Sequence, residues 1–163
     1  EALPLFEGAI ELNPTNMMAQ RYYLMCLIWM DKPRDALSHF DQIREISPKD
    51  PEMLRMDTRR AEAHLGIENF EEAKKFGEVA IAHPITNWPS YTVLISALGH
   101  LGDLSRADDI LSKLKTRISV ASEIDSPPED IANTSYVEKT MPFTDNKFSE
   151  IYLSGLNKAS FPI

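Results

Sequence analysis

Only one of the 163 residues is a cysteine, so no disulfide can form within the chain. Cys26 sits in the apolar run Tyr22 to Met30, which predicts a reduced, buried thiol and a cytoplasmic setting. That run is nine residues long, far short of the about 20 a bilayer span needs. No stretch shows the charged, apolar and small-residue order of a signal peptide. Basic residues are scarce as well. Lys and Arg total 17 against 25 acids, a net charge of −8, and nowhere do they gather into the patch that contact with nucleic acid requires. The acids are uneven: residues 122–163 hold seven against three bases, whereas residues 87–121 hold three against four, which reads as solvated helix surface.

Patterns for catalysis and metal binding are missing too. His39, His64, His83 and His100 are widely spaced, with no second ligand at a metal-binding interval. Ser112-Lys-Leu-Lys115 matches a penicillin-binding-enzyme string by chance, on an amphipathic helix without the companion motifs. Gly99-His-Leu-Gly102 lacks the strand and lysine of a phosphate loop and reads as a helix-ending turn. No activity, cofactor or metal is expected of this chain itself.

What is present is a spaced helical signature. Ala2, Phe6, Ala9 and Pro14 recur as Ala36, Phe40, Ile43 and Pro48, each 34 residues on. Ala73, Gly77, Ala80 and Pro84 form a third copy, and Ala107, Leu111 and Leu114 a fourth, again 34 residues after the third. Residues at i, i+4 and i+7 share one helix face, so the signature marks a seam to the preceding helix, and small residues there permit close approach. Gly77 lowers helix stability by roughly 1 kcal/mol relative to Ala, which a steric need on the seam explains. With 43% apolar and 26% charged residues, one all-α domain is expected.

Periodicity and breakers predict helices at 2–12, 17–30, 33–46, 52–66, 70–82, 88–101, 104–117, 128–140 and 145–158. Pro33 suits a first helical position, and Asn69 with Glu72 has capping-box spacing. After Ile118, the polar stretch through Pro127-Pro128 reads as a connection. The last two helices, with Tyr136, Val137, Met141, Phe148, Tyr152, Leu153 and Leu156 as apolar stripes, read as a cap on the open end of a repeat array.

Residues 2–121 resemble tetratricopeptide repeats: a half-repeat at 1–16 and full repeats at 17–50, 51–87 and 88–121, followed by a linker and helical cap at 122–163. About three extra residues near Pro51 to Met53 lengthen the second full repeat. First-helix positions usually held by Trp, Leu and Gly carry Gln20, Tyr23 and Leu24, then Asp57, Arg60 and Ala61, then Tyr91, Leu94 and Ile95. The resemblance implies a superhelical array of helix-turn-helix units that binds proteins along its inner face. Its inward positions fall on Met18, Arg21, Met25, Ile28 and Trp29, then Arg55, Thr58, Glu62, Leu65 and Gly66, then Pro89, Thr92, Ser96, Gly99 and His100. A clamp for a C-terminal carboxylate is not implied, because Met25 stands where Asn is needed and Tyr22 offers no amide, although Arg55 and Arg59 fill two basic slots.

The ending Ser135-Tyr-Val-Glu-Lys-Thr-Met-Pro-Phe143, Asp145, Phe148-Ser-Glu-Ile-Tyr-Leu-Ser-Gly-Leu-Asn-Lys-Ala159 and Phe161-Pro162 resembles the C-termini of bacterial signalling proteins. In these, tetratricopeptide repeats follow a class III adenylate or guanylate cyclase domain or a winged-helix transcriptional regulator domain. It implies that Glu1 is an internal cut, that Ile163 lies near the native end, and that the fragment is a regulatory module without catalysis of its own. The unmatched half-repeat beside Met18, Met25, Ile28 and Trp29 predicts an apolar patch, covered by an upstream domain, a protein or peptide partner, or a second copy in a homodimer.

Overall fold

Side-chain caps and left-handed turns set the helix boundaries. The computed structural model describes residues 2–83, 87–125, 134–140 and 146–162, and among these it contains helices and no strand. The helices are α1 (Ala2–Leu12), α2 (Met17–Trp29), α3 (Pro33–Ile46), α4 (Met53–Gly66), α5 (Phe70–Ala82), α6 (Trp88–Leu101), α7 (Leu104–Asp125), α8 (Thr134–Thr140) and α9 (Lys147–Lys158). Asn16 caps α2 by accepting from the Ala19 N–H, and Pro33 opens α3. The box expected at α5 is half formed: Asn69 accepts from the Glu72 N–H, but the Glu72 carboxylate turns to Lys75 instead.

Three interhelical turns share one geometry. Asp31, Glu68 and Gly102 all have positive φ (60°, 63° and 74°), and the residue after each donates its N–H back to Leu27, His64 and Leu98 respectively. This satisfies a helix-end carbonyl with a left-handed residue, which only Gly adopts without penalty. The spacing of the three turns matches that of Ala36, Ala73 and Ala107, so the repeat read from side chains is also a repeat of backbone conformation.

Packing follows the same order. Helices α2, α4 and α6 form one layer, each against the next, while α3, α5 and α7 each lie against a neighbour in that layer. The core runs through Leu24, Ile28, Phe40, Ile43, Met56, Leu65, Leu94, Leu98, Ile110 and Leu114. Gly77 is on a seam, but with the following helix: a Cβ there would lie 3.0 Å from Leu94 Cβ of α6. The charged residue at an expected Leu position is accommodated by stacking. The Arg60 guanidinium lies over the rings of Phe40 (4.7 Å) and Phe76 (3.8 Å), with Asp57 as its nearby acid.

Two expectations change. The connection expected after Ile118 continues as helix to Asp125, because nothing from Ser119 to Asp125 breaks a helix and the first strong breaker is Pro127. The cap expected on the array's open end also sits elsewhere, since α9 packs across α6, α4 and α2. The expected helix start near 128, Met141 and Asp145 lie outside the described residues.

Candidate functional site

The layer of α2, α4 and α6 has an inner face, the one toward α9, divided into two unlike halves. On α6, Thr92, Ser96 and Gly99 follow an i, i+4, i+7 stripe, and on α9 Phe148, Tyr152 and Gly155 follow the same stripe. The two stripes meet. A Cβ on Gly99 would collide with the Gly155 carbonyl, and one on Gly155 with Ser96, so the helices touch backbone to backbone. Ser96 Oγ donates to the Tyr152 carbonyl at 2.9 Å, and the Tyr152 hydroxyl meets Thr92 Oγ1 at 2.7 Å. His100 Nε2 lies 2.8 Å from the Ile151 carbonyl, which can only accept, so Nε2 carries hydrogen. Its Nδ1 then accepts from Lys158 at 3.1 Å, while Phe70 stacks on the ring.

The other end of α9 is held as firmly. Asn146 and Ser149 form a reciprocal capping box, and Asn146 Nδ2 donates to the Trp29 carbonyl at 2.7 Å. Phe148 presses on Gly66, where a Cβ would come within 3.2 Å of its ring. Lys147 pairs with Glu68 at 2.7 Å. Phe148, Tyr152, Leu156 and Phe161 are all buried in the shared core.

The half toward the starts of α4 and α6 remains open. A cavity of about 300 Å³ is lined there by Arg21, Tyr22 and Met25 of α2, Arg55, Thr58 and Arg59 of α4, Ala80 and His83 from α5 and its end, and Asn87 and Ser90 around the start of α6. Ser90 donates to Asn87 Oδ1, so Thr58 must donate to Ser90, and this hydroxyl pair joins α4 to α6. Glu52 pairs with Arg21 at 3.9 Å and with Arg55 at 3.1 Å.

Between the halves lies Glu62. It is fully buried, its Oε2 accepts from Arg59 at 2.6 Å, and its Oε1 has no hydrogen-bond partner among the described residues. Burial pushes its carboxyl up to about 7 against the opposing pull of Arg59. Burial likewise raises the Tyr152 hydroxyl, helped by the nearby Glu62. Asp57 is pushed up to about 6 by burial, with Arg60 and His83 pulling the other way.

The sequence-derived positions thus divide. Arg21, Met25, Arg55 and Thr58 come together around the cavity. Met18 is 62% exposed beside it in sequence, and Trp29 is half-buried with its carbonyl taken by Asn146. Ile28 and Glu62 are corrected: Ile28 is a core residue, and Glu62 is sealed beneath α9, so neither faces an outside partner. Leu65, Gly66, Thr92, Ser96 and Gly99 are likewise buried, and His100 is bound to α9. For Arg59 the sequence suggests only a basic slot of a clamp. Its i, i+3 spacing to Glu62 was the available signal for the ion pair. Cys26 is half-buried with its thiol raised by burial. No described helix is long and apolar enough to cross a membrane, and among the described residues no cluster of His, Cys, Asp and Glu could hold a metal. No protein-family model, curated protein or solved structure matches the chain.

Proposed function

We propose that this chain is a tetratricopeptide-type protein-interaction module whose inner face is filled at one end by its own C-terminal helix and offers the other end to a polypeptide partner. The observation that carries this reading is α9 itself, a helix seated along α2, α4 and α6 on the positions the repeat resemblance assigns to partner contact. A face that accepts one helical segment has the shape and hydrogen-bonding groups to accept peptide, and the arginine-lined cavity is where it is still free.

The residues carrying the C-terminal resemblance, Phe148, Tyr152, Gly155, Leu156 and Phe161, are the ones buried in this seat. This supports placing the module at the end of a cytoplasmic bacterial signalling protein, downstream of a nucleotide cyclase or winged-helix domain, with catalysis or DNA contact supplied upstream. Peptides selected by phage display against the chain, mapped by amide chemical-shift changes, test the reading. Peptides that perturb Arg21, Met25, Arg55 and Arg59 are expected. Selection only of peptides that map to the outer helices α3, α5 and α7 would reject it.

A further inference from the structure

The open cavity and the α9 seat meet at one side chain. Arg59 lines the cavity, and the same guanidinium holds Glu62 at 2.6 Å beneath α9. With Oε1 of Glu62 unpartnered among the described residues, Arg59 is the group that keeps this sealed carboxylate charged. Resting on the groove reading above, we propose that the cavity binds one carboxylate side chain of the partner through Arg59, and that binding draws Arg59 from Glu62, which takes up a proton.

The charge balance favours a single carboxylate. Arg21, Arg55 and Arg59 line the cavity, Glu52 is shared by the first two, and Glu62 holds the third, so three guanidiniums face two carboxylates. With Glu62 ionised one positive charge is left, which a monoanion matches; a dianion needs the second charge that only full protonation of Glu62 frees. Tyr22 and Met25 supply an apolar wall for an acid's methylene stem, and the Thr58–Ser90 hydroxyl pair also lines the cavity.

The proton follows from the same geometry. Burial alone drives Glu62 toward its neutral form, and only Arg59 opposes this. The groups that act on Glu62 are Arg59 on its own helix and Tyr152 on α9; from α2, α3, α5 and α6, no charged group enters among the described residues. An anion that competes for Arg59 therefore raises the affinity of Glu62 for a proton. By linkage, the anion binds more tightly as pH falls through neutrality, by at most tenfold per pH unit for one proton. The gain levels off below about 7, where Glu62 already holds its proton in the free chain, and affinity falls again near the ordinary Glu value of about 4.3, where the ligand's own carboxylate is lost.

The test uses the chain carrying ¹³C-labelled glutamate and the blocked peptide acetyl-Gly-Glu-Gly-amide at millimolar concentration, followed by NMR. The expected result is a shift of the Arg59 Nε–H signal and a rise of the Glu62 titration midpoint by at least one pH unit at saturation. The Gln counterpart of the peptide should not bind, and in Glu62→Gln, checked for unchanged circular dichroism, peptide affinity should lose its pH slope between 6.5 and 8.5. A Glu62 midpoint unmoved by saturating peptide would overturn the proposal, and that measurement needs no variant. Absence of peptide binding, equal binding of the Gln peptide, or tighter binding of inorganic phosphate would overturn the choice of ligand. Display-selected peptides that seat on the inner face without any acidic residue would do the same while leaving the groove reading intact.

Discussion

The covered and open halves of the inner face are built from different residues, and the difference shows what excludes a partner. Where α9 lies, the contact residues are small or hydroxylic: Gly66, Thr92, Ser96, Gly99 and, on α9, Gly155. Where the cavity lies, they are long and charged: Arg21, Arg55 and Arg59. Small residues let two helix backbones touch, so the first half accepts a helix at van der Waals distance and excludes water. Arginines hold a second backbone away and keep their heads hydrated, so the second half suits a polar extended segment.

The sharpest way to break this contrast is to add one methyl group beneath α9 and, as a control, one on α1, outside both halves. Gly155→Ala places a Cβ against both the Oγ and the backbone carbonyl of Ser96, neither of which can retreat without moving α6. A loss of about 3 kcal/mol or more in urea unfolding is expected, at the upper end for overpacking. Gly8, whose Cβ would meet nothing within 4 Å, serves as the matched control: Gly8→Ala should gain up to about 1 kcal/mol from helix propensity. If both variants behave alike, close approach at Gly155 does not hold α9 in place.

Much of this architecture was legible because it is local. Periodicity, Pro33, Asn69 and Gly102 set α1 to α6 to within a residue, and the turns at Asp31, Glu68 and Gly102 recur at the same 37- and 34-residue steps as Ala36, Ala73 and Ala107. The position of α9 was not legible, since a helix with an apolar stripe has several faces it can cover. The signal is glycine at Gly99 and Gly155, which sequence alone presents as a turn and a motif and the structure joins as two halves of one contact. The positions assigned to the inner face lie on α2, α4 and α6, yet a pattern of spacing cannot say whether a chain's own segment already fills them. Ile28 shows this on a smaller scale: one residue from the half-exposed Trp29, it faces the core.

A second way to sharpen the comparison acts at the boundary. Glu62 and Asp57 both have carboxyls raised by burial, so the folded chain binds more protons than the unfolded chain between about pH 4 and 7. Stability from these groups is fully present below the ordinary carboxylate values and is lost as pH rises through about 6 to 7. Denaturation midpoints measured from pH 5 to pH 8 should therefore fall, and Glu62→Gln should remove a share of that slope worth at most about 3 kcal/mol. A wild-type chain whose stability rises over this interval would show that Glu62 is not sealed.

At the edge of the covered half, Lys147 and Glu68 form an exposed pair at 2.7 Å that ties the start of α9 to the α4–α5 turn. Mutual attraction raises the Lys147 ammonium and lowers the Glu68 carboxyl from their ordinary values. Lys147→Ala should change stability by less than Gly155→Ala, because water screens both charges. A salt titration to 1 M should leave the α9 seat intact, as judged by Trp fluorescence, since the contacts beneath it are apolar and hydrogen-bonded.

The smallest stability effect belongs to the open half. Arg55 is partly exposed and pairs at 3.1 Å with Glu52, the N-cap residue of its helix, a surface arrangement worth about 0.5 kcal/mol or less. Arg55→Gln should leave the urea midpoint within that margin, because no core contact or α9 contact depends on it. The same substitution removes one of the three cationic heads around the cavity, releasing Glu52 to pair with Arg21 alone. Affinity for an acidic peptide should then drop several-fold, and added salt should weaken the remaining binding less than it weakens the wild type. A stability loss as large as that of Gly155→Ala would mean the arginines hold the fold together, and the division of the inner face into a seat and an open site would fail.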